Sequence, residues 1–122
     1  MREDNIMRGI VWAYNTDDAI AKLLEIEEDY GRLGIKPTNR VIGKSQTYIV
    51  FNNGDMWRVV RASDSGRGYA TNVSYIDRRI PQDTINTIIK PATKSWPFQA
   101  FKFYCPLSYR PGEDEEIEPK FI

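Results

Sequence analysis

The sequence predicts a single α/β domain, with α+β as the alternative, on a mixed β-sheet of about five to six strands with two helices, in the order β-α-β-β-β-β-α-β. Three observations predict it. Short runs rich in β-branched and aromatic residues recur along the chain, and two stretches with helical character interrupt them. Glycine and proline stand at the expected breaks. The 122 residues are 41% hydrophobic and 28% charged, which suits one modest core. Residues 1–110 are read as the domain and 111–122 as an acidic flexible tail.

Residues 8–15 (RGIVWAYN) open the fold as a strand. Thr16 or Asp17 is expected to cap a helix reaching about Leu33, with Asp17 and Asp18 at its positive end. Ile20, Leu23, Leu24, Ile26, Tyr30 and Leu33 give that helix an apolar face. Gly34 stops it and Pro37 confirms the break. Extended runs follow at residues 40–43 and 46–52. Asn53-Gly54 signals a tight hairpin into a strand over 55–62. Neither face of that strand is wholly apolar, so it is expected near an edge or at an interface. After the Ser63–Gly68 loop, residues 71–77 form another strand. Pro81 opens a helix to about Lys90, ended by Pro91. Residues 98–105 complete the order.

Composition excludes several chemistries. The chain has no histidine, so no Ser-His-Asp or Cys-His arrangement and no imidazole zinc site can be built. Its one cysteine, Cys105, ends an apolar run and is expected to be a buried, inert thiol. A lone cysteine favours a reducing compartment. No run approaches a membrane span, and the charged first residues are not a secretory signal. A cytoplasmic protein of the host cell, without membrane contact, is expected. Net charge is zero but uneven: −3 over residues 1–39, +4 over 40–79, +3 over 80–110 and −4 over 111–122. The basic middle is either balanced by the two ends or offers a surface to phosphate.

Four features stand in order: IVFNNGDMW, RASDSGRGY, NVSYID, and a helix begun by Ile80-Pro81. With GIVWAYN and the helix after it, this series resembles the ATPase core of phage terminase large subunits, over about residues 9–91. The resemblance implies that NVSYID is the Walker B strand, with Asp77 at the position of the magnesium-binding aspartate. It also implies that catalysis is lost. Arg78 stands where the family has its catalytic Glu, and no G-x-x-x-x-G-K-[ST] is present to cradle phosphates. On its own, NVSYID also reads as a core strand ending in an aspartate. No catalytic residue, metal ligand or cofactor is expected.

The candidate residues are therefore binding residues. Arg58, Arg61, Arg67, Gly68, Asp77, Arg78 and Arg79 are candidates for phosphate or nucleotide, since guanidinium forks beside a glycine loop suit anions. Trp57 and Tyr69 are candidates for stacking on a base. Glu25, Glu28 and Asp29, with Glu113, Asp114, Glu115, Glu116 and Glu118 of the tail, are candidates for contact with a basic partner. The functional expectation is a non-catalytic phage accessory protein that binds and inhibits a host or phage protein. The alternatives are sequestration of a nucleotide or nucleotide signal, as a possible homo-oligomer, and an accessory role in DNA packaging.

Overall fold

The computed structural model describes residues 6–43, 45–62, 69–95 and 98–106. Six strands form one sheet in the order β2-β3-β4-β1-β5-β6. They are β1 (Arg8–Ala13), β2 (Pro37–Ile42), β3 (Thr47–Phe51), β4 (Met56–Arg61), β5 (Val73–Asp77) and β6 (Ala100–Tyr104). Strands β4, β1, β5 and β6 are mutually parallel, and β3 and β2 extend the sheet antiparallel beyond β4. The mixed α/β architecture and the element order are those the sequence predicts.

Helix α1 (Thr16–Arg32) begins one residue earlier than expected. Asn15 is its N-cap, and the Asn15 side chain accepts from the backbone N–H groups of Asp17 and Asp18. Asparagine satisfies such orphan donors at least as well as threonine. At the other end Gly34 takes φ +78°. The N–H of Ile35 then reaches Tyr30 O, and that of Gly34 reaches Gly31 O. This is the glycine-terminated cap that satisfies the last helical carbonyls. The buried stripe of α1 is Ala19, Leu23 and Ile26, continued by half-buried Tyr30. Leu24 and Leu33 are exposed, the latter by 76%, so the apolar face is narrower than the sequence suggests. Leu24 lies off the i, i+4, i+7, i+11 stripe that meets the sheet, and Leu33 is the C-cap, past the last helical residue.

The second helix, α2, is continuous through Gln82–Thr84, a π-helical turn Ile85–Ile89 and a last turn Lys90–Ala92. Pro81 is its N-cap rather than its first residue. Pro91 lies inside the last turn and does not end the helix. In a regular α-helix its ring would meet the carbonyl four residues back, and the wider π turn relieves that contact.

The helices cover opposite faces of the sheet. On one face α1 packs on Val11, Ala13, Ile49, Phe51, Trp57 and Val73. On the other, α2 packs through Ile85, Ile89 and Ala92 on Ile10, Trp12, Val60 and Ile76. The parallel strands buried on both sides are accordingly apolar nearly throughout. Trp12 donates to Ser74 Oγ at 2.9 Å, and Ser74 pairs with Thr93, so this second core keeps its polar atoms bonded.

The hairpin at Asn53-Gly54 forms as expected, with Gly54 at φ +94° and Asn53 Oδ1 accepting from the N–H of Asp55. Strand β4 is nevertheless interior, between β3 and β1, and not at an edge. Its polar residues have another cause. Arg58 sits on a part of the sheet that α2 does not reach, and Arg61 is at the exposed strand end. Cys105 is exposed, in contrast to the expectation, because it lies one residue beyond the end of edge strand β6. Among the described residues no helix is long and apolar enough to cross a membrane.

Candidate functional site

The chain leaves β1 with α1 on one face and returns, through the β2–β3 hairpin, to β4 on one side. It leaves β5 with α2 on the opposite face and returns to β6 on the other side. The connections diverge between β1 and β5. The carboxyl ends of those two strands are therefore the topological switch point, where open α/β sheets place their ligands.

Here the switch point is filled by the protein itself. Asp77 ends β5 with its side chain wholly buried. Its Oδ1 accepts from the backbone N–H and Nε of Arg79, at 2.9 and 3.2 Å, and its Oδ2 accepts from Nη2 at 2.9 Å. The same Nη2 donates to Asp18 Oδ2 at 2.8 Å, in the first turn of α1. The Tyr14 ring lies 4.7 Å from the guanidinium. The Asp77 bonds, followed by Asp18, hold the Arg79 pKa well above its usual value despite desolvation. Two carboxylates and one always-charged fork make a closed network. Thus Asp77 and Arg79, both candidates for phosphate, are bonded to each other. Arg78 is exposed beside this network, and its N–H donates to Tyr104 O.

Trp57 is buried on the α1 side. Its indole covers Gly9 and lies 5.4 Å from the Tyr75 ring. Trp57 Nε1 donates to Tyr30 Oη at 3.0 Å, and Tyr30 donates to Asp55 Oδ2 at 2.7 Å. Burial, before any bond, raises the Tyr30 pKa. So placed, Trp57 has no open face for a base. Arg61 is three residues along β4 from Arg58 and therefore projects from the opposite face. The sequence alternation carried that separation, and grouping the arginines in one site overlooked it.

Arg58 and Tyr69 do come together. The Arg58 guanidinium lies 5.2 Å from the Tyr69 ring centroid, within cation–π reach. They line a cleft of about 280 Å³ at the amino ends of β1 and β4, with Arg8, Gly9, Ile10, Met56, Ala70 and Thr71. Among the described residues its lining carries two arginines and no carboxylate. Neither Arg8 nor Arg58 is ion-paired among the described residues. Comparison with protein-family models, with curated proteins and with solved structures finds no match. Sequence reasoning missed Arg8 and Met56. They are brought to the cleft by parallel pairing of β1 with β4, which sets Arg8 opposite Met56 and Ile10 opposite Arg58. Nothing local in the sequence announces that register.

The three acidic candidates on α1 have partners on the same helix. Glu25 pairs with Lys22 at 3.2 Å, and Glu28 and Asp29 pair with Arg32 at 3.3 and 2.9 Å. Exposed pairs of this kind stabilise a helix slightly. Arg67, Gly68, Glu113, Asp114, Glu115, Glu116 and Glu118 lie outside the described residues.

Proposed function

We propose that this chain is a non-catalytic binding protein whose cleft at the amino ends of β1 and β4 takes a phosphate-bearing ligand, a nucleotide or nucleotide-derived signal. The observation that carries the reading is the pair Arg8 and Arg58, two guanidinium groups that meet no carboxylate among the described residues, in a cleft whose described lining contains no acid. Each can present a planar fork to phosphate oxygens, and the low polarity of Ile10, Met56 and Tyr69 beside them strengthens the attraction. Binding without turnover fits the state of Asp77, both of whose oxygens are taken by Arg79.

Titration calorimetry with nucleoside triphosphates, monophosphates and cyclic nucleotides tests the proposal. The expected result is binding that Arg58→Ala and Arg8→Ala each weaken about 10- to 100-fold, the loss of a charge-assisted contact. A well-folded sample giving no heat with any of them would overturn it. The inhibitor reading drawn from the terminase resemblance relies on acidic side chains as the contact. On α1 those side chains already engage Lys22 and Arg32, so the cleft has the stronger claim.

A further inference from the structure

The cleft does not end at Arg58. The core under helix α2 takes in β1, β5, β6 and part of β4, and among the described residues no helix covers the same face of the sheet across β3 and β2. Tyr48 lies directly opposite Arg58, and Val50 opposite Met56. One strand further out, Val41 faces Tyr48 and Asn39 faces Val50. Val41, Tyr48, Val50 and Met56 are half-buried and belong to neither core. Asn39 Nδ2 donates to Tyr48 Oη at 3.4 Å, which steadies the ring at the outer margin. Two tyrosines thus flank one arginine, Tyr48 from the neighbouring strand and Tyr69 at 5.2 Å. Arg8 lies on the same face two strand spacings from Val50, and two residues along β3 from there stands Tyr48, about 12 Å from Arg8 on the diagonal.

A half-apolar sheet surface with separated aromatic rings, and arginines that meet no carboxylate among the described residues, has a particular chemistry. Rings without a partner ring stack on unpaired bases, and guanidinium groups between them follow a phosphate backbone. A double helix hides its base faces and cannot use the rings. Resting on the cleft reading above, we propose that the occupant is single-stranded nucleic acid, laid from the cleft across β4 and β3. Arg8 and Arg58 hold phosphates, and Tyr48 and Tyr69 carry bases. Charge complementarity argues for this occupant: among Asn39, Val41, Tyr48, Val50 and the cleft lining no acidic residue is present.

The test is fluorescence anisotropy with short labelled oligothymidylate and oligouridylate, a duplex of the same length, and a mononucleotide competitor. The two single strands separate DNA from RNA as the source of the same chemistry. Expected is single-strand binding that falls steeply between about 50 and 200 mM salt, with the slope reduced by about one in Arg8→Ala and in Arg58→Ala. Tyr48→Leu, which keeps the bulk without the ring face, weakens binding about fivefold or more, and Tyr48→Phe restores it. Arg32→Ala, on the far side of α1, leaves affinity unchanged. No single-strand binding at low salt, equal affinity for the duplex, or Tyr48→Leu binding as wild type would overturn the proposal. If oligomers bind no tighter than mononucleotide while Arg58→Ala still abolishes mononucleotide heat, the platform fails and the cleft reading stands. If neither ligand binds the folded protein, both fail.

Discussion

Replacing Gly9 by alanine measures how tightly the sheet and the aromatic cluster are fitted together. A Cβ built on Gly9 would stand 2.2 Å from Trp57 Cε3 and Cζ3 and 2.5 Å from Cδ2. Carbon atoms in contact prefer about 3.5–4.0 Å, so the indole must withdraw by roughly 1.3 Å or the strands must part. Withdrawal is resisted. Trp57 Nε1 is held by Tyr30 Oη at 3.0 Å, and a shift of that size breaks the bond. Overpacking of this kind costs about 1–3 kcal/mol and the lost hydrogen bond about 1. The reduced entropy of the unfolded chain returns roughly 0.5 kcal/mol. Gly9→Ala should therefore destabilise by about 2–3 kcal/mol, lowering Tm by roughly 10 °C. Urea unfolding of Gly9→Ala, Trp57→Leu and the double variant reads the coupling directly. With the ring removed, the Gly9→Ala penalty should fall by more than 1 kcal/mol. A Gly9→Ala protein within about 0.5 kcal/mol of wild type, or strictly additive variants, would refute the reasoning.

Three further outcomes can be checked. Arg79→Met leaves the wholly buried Asp77 and the adjacent Asp18 without their cation, so stability should drop by about 3–5 kcal/mol; adding Asp18→Asn and Asp77→Asn should recover part of it. Burial, and then the charges of Asp77 and Asp18, raise the Tyr104 pKa above its unfolded value. Its neutral phenol therefore adds stability below about pH 10 that is lost as pH rises further, by up to about 1.4 kcal/mol per unit; Tyr104→Phe should make the alkaline limb of a pH–stability profile shallower. Cys105 is exposed, so a thiol reagent should label the native protein at one thiol per chain without prior unfolding, and protection until denaturation would contradict its placement.

Much of the fold was legible because its signals are local. The Asn53-Gly54 hairpin, the Gly34 stop and the runs of β-forming residues in β1 and β5 each depend on a few adjacent residues, and each stands in the structure where it was read. The errors share a different origin. Mixed polarity in β4 looked like an edge, but it records which stretch of sheet a helix leaves bare. Pro91 looked like a helix end, but a π turn before it makes room for the ring. Cys105 looked buried because its neighbours are apolar, although the sheet stops one residue earlier. Coverage by another element is not encoded in a window of neighbouring residues.

The site divides the same way. Basic residues in the middle of the chain, with tyrosines among them, are evident from the sequence alone, as is the arginine that stands at Arg78 in place of an acid. Which arginines are spoken for is a tertiary matter. Arg79 turns back onto Asp77 and Asp18 because a buried carboxylate without a cation is costly, and this closes the switch point. Arg8 and Arg58 meet no carboxylate among the described residues because strand pairing sets them on a face where those residues supply no acid. The sequence by itself determined the elements and the charges; only the packing of β4 against β1 and the short reach of α2 decided which charges remain available to a ligand.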